Sequence, residues 1–126
     1  SRVSLILKGK NKPQFSPNLP VGDGVIIVNT DKIKFSGKKN TEKKYYKHTG
    51  HPGGIKEITP DKLKEKNKSE DIIKKAIKGM LPNSPLFRDL MKNNLKLYKD
   101  SNHPHESQNP KTIDFKSQNR KNLINV

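Results

Sequence analysis

The sequence predicts an α/β layer architecture built around a small core. Three observations support this fold class: one continuous β-branched run, segments whose apolar residues recur at helical spacing, and helix start and stop residues at the segment ends. The order along the chain is helix, strand, short strand, helices and strand. A length of 126 residues corresponds to one ordinary domain.

The N-terminal segment predicts the last two turns of an amphipathic helix, from Val3 to Leu7, closed by Gly9. We expect this helix to begin before Ser1 or to be frayed, and an upstream segment to be missing. Three prolines between residues 13 and 21 fix φ and remove backbone donors, so this stretch is predicted to be an extended connector.

The run from Val25 to Val28 lacks polar alternation, which is typical of a strand covered on both faces in a parallel sheet. Asn29 to Lys32 is predicted to be a turn. Apolar and polar residues alternate from Ile33 to Phe35, which predicts a second, short strand.

Thr59 followed by Pro60 is a helix start signal, and this helix is expected to reach about Asn67. Ser69 repeats the signal for the next helix. Its apolar residues share one helical face and are predicted to be core: Ile72, Ile73, Ala76, Ile77 and Met80. The lysines on its other sides, Lys74, Lys75 and Lys78, fit either a solvated face or phosphate contacts.

Ser84 and Pro85 start a third predicted helix with an apolar side that includes Phe87 and Leu90. The alternation that follows predicts a last short strand ending near Tyr98. We therefore expect one α/β domain over residues 1–99, followed by an extended tail over residues 100–126 that lies on something larger.

The charge balance points to a polyanionic partner. Lys and Arg number 27 against 12 Asp and Glu, which gives a net charge of +15, and hydrophobic residues make up 29% of the chain. So much like charge on a thin core indicates that the protein binds a polyanion.

Several function classes are excluded or disfavoured. The chain has no Cys, so disulfides, thiolate nucleophiles and Cys-based zinc sites are impossible. The longest apolar run has four residues, far short of the about 20 that cross a bilayer. Phosphate-loop and dinucleotide fingerprints are absent, so we predict no enzyme, no cofactor and no small-molecule substrate. The histidines lie in two separate pairs without interleaved acids, which argues against a metal site.

Residues 36–58 hold the materials for RNA binding. Lysines supply charges for phosphates, the adjacent Tyr45 and Tyr46 offer stacking faces, and glycines let backbone N–H groups approach a phosphate. This stretch is too polar to bury itself, so we predict a long basic loop that orders on RNA. The alternative is a solvated charged loop.

Ordered motifs along most of residues 8–115 resemble the thirteenth protein family of the large ribosomal subunit, of bacterial and organellar type. The most specific are His48-Thr49-Gly50 and Lys78-Gly79-Met80-Leu81-Pro82, supported by Gly22-Asp23, Pro52 to Lys56, Leu95 to Tyr98 and His103-Pro104-His105. The chain departs from the family pattern at Phe87, where Gly usually precedes the Arg, and in lacking the family's N-terminal strand.

The resemblance implies a three-layer α/β/α sandwich on a small, mostly parallel sheet of about four strands. It also implies a non-catalytic role in the large subunit, with large-subunit ribosomal RNA and neighbouring ribosomal proteins as partners, in a bacterial cytoplasm or a mitochondrial matrix. A free regulatory RNA-binding protein or a polybasic surface-binding protein is the alternative. The candidate RNA-binding residues are Lys8, Lys10, Lys12, Lys38, Lys39, Lys43, Lys44, Tyr45, Tyr46, Lys47, His48, Thr49, Gly50, His51, Gly53, Gly54, Lys56, Lys78, Arg88, Lys92, His103 and His105.

Overall fold

The computed structural model describes residues 1–114, and the last part of the predicted tail, residues 115–126, lies outside the described residues. The fold is mixed α/β, as predicted. Its helices and strands are, in order, α1 (Arg2–Lys8), β1 (Val25–Ile27), α2 (Lys39–Glu42), β2 (Tyr45–His48), β3 (Ile55–Ile58), α3 (Pro60–Glu65), α4 (Ser69–Lys78), α5 (Pro85–Asn94) and β4 (Leu95–Leu97). Two short 3-10 turns add Thr30–Lys32 and Glu106–Gln108.

The N-terminal helix ends where the sequence predicts. Gly9 adopts φ 76°, and its N–H bonds back to the last turn of α1. A side chain at Gly9 would also collide with the connector, because a Cβ would lie 2.9 Å from the carbonyl carbon of Val21. Gly9 therefore closes the helix and allows the connector to pack against it.

Strand β1 pairs in parallel with β4, with Val25 opposite Leu95 and Ile27 opposite Leu97. All three β1 residues are half-buried. The prediction of one mostly parallel sheet of about four strands is not confirmed: the described residues form two separate two-stranded sheets, β1–β4 and β2–β3.

The predicted strand from Ile33 to Phe35 is wrong. The preceding residues form a 3-10 turn that is tied to the end of β4, since the Thr30 N–H donates to the Tyr98 carbonyl at 3.1 Å. The Ile33 carbonyl accepts a 2.8 Å hydrogen bond from the Lys64 ammonium group. A side chain thus takes the acceptor that a neighbouring strand would otherwise use.

The core lies where α1, α4, α5 and β4 meet. Its buried cluster consists of Leu7, Ile77, Leu81, Phe87, Leu90 and Leu95. Phe87 is only 8% exposed, so the residue that departs from the family pattern is a core side chain. The predicted core face of α4 is partly wrong, because Ala76 is exposed and Met80 is 47% exposed.

The helix starts follow the sequence closely. Thr59 and Ser84 occupy the N-cap positions of α3 and α5, each followed by a proline at the first turn, although neither side chain makes a capping hydrogen bond. Ser69 is not the N-cap of α4; it is the first helical residue, and its buried hydroxyl donates to the Asp31 carboxylate. This bond joins α4 to the 3-10 turn.

Candidate nucleic-acid interface

The segment 36–58 is not the predicted long loop. It contains the short helix α2 and an antiparallel hairpin, in which Tyr45 lies opposite Ile58 and His48 lies opposite Ile55. We refer to β2, β3 and their turn as the basic hairpin. Because side chains alternate between the two faces of a strand, the two adjacent tyrosines project in opposite directions.

The turn of the basic hairpin depends on its glycines. Gly50 and Gly53 adopt φ 92° and 71°, a region that other residues rarely occupy. The His48 Nδ1 atom accepts a 2.9 Å hydrogen bond from the Gly50 N–H, so this histidine has a local structural role. A Cβ at Gly54 would lie 2.0 Å from the Thr49 hydroxyl and 2.8 Å from the His51 carbonyl oxygen.

Tyr45 is the anchor of the basic hairpin. It is half-buried, and its ring faces two ammonium groups, those of Lys75 at 4.5 Å and Lys43 at 5.3 Å from the ring centroid. Burial raises the pKa of the Tyr45 phenol above its ordinary value, because desolvation disfavours the phenolate. Since Lys75 belongs to α4, the contact holds the hairpin against that helix.

The opposite face of the basic hairpin is open. Tyr46 is 65% exposed, which leaves its ring free to stack on a base. Beside it, the Lys44 ammonium group forms a 2.8 Å ion pair with Glu57. The hydrogen bond and charge of that carboxylate raise the pKa of Lys44.

Lys47 and Lys56 lie directly opposite each other across the ladder, and both are exposed. Like charges in directly opposed positions destabilise a strand pair. Neither forms an ion pair with a carboxylate of residues 1–114, where the ion pairs found are Lys12–Asp23, Lys44–Glu57 and Lys74–Glu70. Among residues 1–114, this pair of charges therefore has no anionic partner.

The structure separates the remaining candidates into other groups. Lys38 and Lys39 lie at the start of α2, where the Lys39 ammonium group donates to the Ser36 hydroxyl at 3.2 Å. At the end of α1, Lys10 is exposed, but Lys12 is bonded to Asp23 at 2.6 Å and to the Val21 carbonyl at 3.1 Å. Lys12 therefore fixes the connector rather than offering a free charge.

Two further basic candidates line an open depression between α4 and α5. The depression has a volume of about 480 Å³ and is bordered by Lys78 and Arg88, with Lys75 at its edge. Lys92, the next basic residue on α5, is exposed. For Lys75, the sequence fits either a solvated side chain or a phosphate contact. Its ring contact with Tyr45 depends on tertiary structure, so no sequence signal could have identified it.

His103 and His105 form a small aromatic cluster with Tyr98. The Tyr98 hydroxyl lies 2.8 Å from the His105 Nε2 atom, and the His105 N–H donates to the His103 Nδ1 atom at 3.3 Å. Both histidines are half-buried. Residues 1–114 contain no group of three or more His, Asp or Glu side chains arranged to hold a metal ion.

Within the described part of the chain, every helix is too short or too polar to span a lipid bilayer.

Comparison with known proteins places these features in a family. Residues 1–104 match the family model described as Ribosomal protein L13. The large ribosomal subunit protein uL13 of Methylobacterium nodulans is 48% identical over 123 residues, covering 98% of this chain and 80% of the relative. The corresponding protein of Brucella canis is 50% identical over 126 residues, covering 100% and 81%, and that of Agrobacterium fabrum is 49% identical over 121 residues, covering 96% and 78%. With this match over most of its length, the chain belongs to the ribosomal protein L13 family.

Proposed function

We propose that this chain is a structural constituent of the large ribosomal subunit that binds large-subunit ribosomal RNA and supports subunit assembly. The observation that carries the proposal is the basic hairpin itself, which presents the exposed ring of Tyr46 on one face and the directly opposed, exposed Lys47 and Lys56 on the other. A phosphate backbone would supply the anion that Lys47 and Lys56 lack within residues 1–114, and an unpaired base would cover the ring of Tyr46.

The proposed interface comprises the candidate residues named from the sequence, but these residues contribute to it in different ways. The basic hairpin, Lys38 and Lys39 form its centre, while Lys10, Lys78, Arg88 and Lys92 extend it. Lys12, His48 and Tyr45 contribute by holding local structure, because each already has a partner within the protein. Direct contacts to RNA are therefore assigned chiefly to exposed side chains.

We further propose that residues 1–99 act as one domain and residues 100–126 as a tail lying on the subunit. The parallel pair β1–β4 would be part of the mostly parallel sheet of the family's three-layer α/β/α sandwich. Helix α1 contacts β1 and helix α5 contacts β4, which supports the proposal that helices cover this sheet.

The role is non-catalytic and requires neighbouring ribosomal proteins as further partners. The names of the relatives, all large ribosomal subunit proteins of bacteria, support this assignment. They also favour the ribosome of a bacterial cytoplasm over that of a mitochondrial matrix.

Sedimentation of lysate from cells expressing the tagged full chain tests the proposal. We expect the chain to comigrate with large subunits and to remain there through a moderate-salt wash, because several phosphate contacts act together. Recovery only in light fractions would instead support a free regulatory RNA-binding protein or a polybasic surface-binding protein. Binding to purified ribosomal RNA should weaken with a log–log salt slope of about −0.7 to −0.9 per phosphate neutralised; a flat dependence would contradict the proposal.

A further inference from the structure

We propose that the depression between α4 and α5 receives one unstacked nucleotide of RNA, with its base on the apolar floor and its phosphates on the basic rim. This inference rests on the proposed function and specifies a binding site within it. The rim consists of Lys75, Lys78 and Arg88.

The floor of the depression is apolar. Leu81 and Phe87 belong to the buried core cluster, and Met91 is half-buried beside it. Aromatic and apolar side chains are the surfaces on which proteins stack an unpaired base.

The rim selects an anionic occupant. None of the lining residues is acidic, and neither Lys78 nor Arg88 forms an ion pair with a carboxylate of residues 1–114. An apolar side chain from a neighbouring protein would cover the floor but leave these charges without partners. A nucleotide provides a planar apolar base and an attached phosphate in one unit, and Arg can also stack its guanidinium plane on a base.

The position of the depression agrees with this occupant. Lys75 lines its edge and also contacts the ring of Tyr45, so the depression adjoins the anchor of the basic hairpin. One RNA strand passing along the hairpin could therefore place a neighbouring nucleotide in the depression.

Gly79 allows a clean steric test. Its backbone is in the right-handed helical region, with φ −67°, and an added Cβ would make ordinary contacts at 3.6 and 3.7 Å. Gly79→Leu should therefore fold while reducing the space in the depression, and Gly79→Ala is the matched small control. The double variant Lys78→Gln/Arg88→Gln removes the rim charges without filling the floor, and Lys66→Gln controls for charge loss outside the lining.

The experiment is chemical probing of a full-length large-subunit ribosomal RNA transcript bound to the full chain. Dimethyl sulfate and a carbodiimide together modify unpaired positions of all four bases. We expect the wild-type chain to protect one or two unpaired bases that Gly79→Leu and the double variant re-expose, while the rest of the footprint remains. Affinity should fall at least about fivefold in both variants and stay near wild type in both controls.

Thermal unfolding of every variant accompanies the probing. If Gly79→Leu does not fold, the double variant decides. An unchanged footprint and affinity in a folded Gly79→Leu protein would refute the nucleotide site while leaving the proposed function intact. Unchanged RNA binding combined with loss of association with large-subunit proteins would show that the depression binds protein instead. Failure of the wild-type chain to bind the transcript would overturn both.

Discussion

Separate substitutions of the two adjacent tyrosines should affect different properties, with Tyr46 acting in RNA binding and Tyr45 in the stability of the hairpin. Tyr46 is 65% exposed, whereas the Tyr45 ring lies between the hairpin and α4 with two ammonium groups over it. A base stacked on an exposed aromatic contributes about 1–3 kcal/mol. Tyr46→Ala should therefore raise the Kd for large-subunit ribosomal RNA by about 5- to 150-fold and leave thermal stability close to wild type.

Tyr45→Ala should behave in the opposite way. Each cation–π contact contributes about 0.5–1 kcal/mol near the surface, and a half-buried ring adds apolar burial. The free energy of unfolding should therefore fall by about 1–3 kcal/mol, and any loss of RNA affinity should follow from loosening of the hairpin. The separate variant Tyr45→Phe, which keeps the ring, should retain most of the stability that Tyr45→Ala loses.

Filter binding at one fixed salt concentration, with thermal unfolding monitored by circular dichroism, measures both effects. Tyr46→Phe is the matched control and should bind within about twofold of wild type, because stacking requires the ring and not the hydroxyl. Wild-type affinity in Tyr46→Ala would refute the assignment. So would a larger affinity loss in a fully folded Tyr45→Ala protein than in Tyr46→Ala.

Three further predictions follow from single contacts. Lys47→Gln removes the charge repulsion with Lys56, so the free energy of unfolding should rise by less than about 1 kcal/mol. The same variant should make the log–log salt slope of RNA binding shallower by about 0.7–0.9. A fall in unfolding free energy together with the shallower slope would contradict this prediction. Gly22→Ala should lower the free energy of unfolding by more than about 2 kcal/mol, because its Cβ would lie 1.7 Å from the Leu7 carbonyl oxygen of α1. Gly24→Ala is the control and should be close to neutral, since the nearest atom to its Cβ lies at 3.8 Å. A denaturant titration measures both variants. Burial raises the pKa of Tyr45, so the stability that this neutral phenol provides is complete below about pH 10 and is lost as pH rises through its higher folded pKa. The melting temperature of Tyr45→Phe should consequently fall less than that of wild type between about pH 9 and 12, and identical profiles would exclude this contribution.

The sequence predicted elements whose signals are local. Gly9 closes α1, Pro60 and Pro85 start α3 and α5, and the β-branched run forms β1. Each signal depends on φ preferences or on apolar residues contained in the element itself. The positions of these elements could therefore be predicted, within one or two residues, before any tertiary contact was known.

The basic hairpin was missed because its strands are stabilised by partners elsewhere in the chain. Its exposed lysines and histidine give β2 no apolar face that a periodicity argument could detect. Its inner contacts are the cross-strand pair of Tyr45 with Ile58 and the ammonium group of Lys75 from α4. The reverse error occurred at Ile33 to Phe35, where alternation was present but Lys64 from α3 took the acceptor of Ile33.

The two-residue period of the hairpin determines which tyrosine can meet RNA. Tyr45 turns inward because it faces Lys75, so Tyr46 must turn outward with Lys44 and Glu57. A shift of the ladder by one residue would exchange the two rings, burying the stacking surface and exposing the anchor. The cation–π contact on α4 therefore fixes the orientation of the hairpin as well as its position, and through that orientation it decides which surface is presented to the nucleic acid.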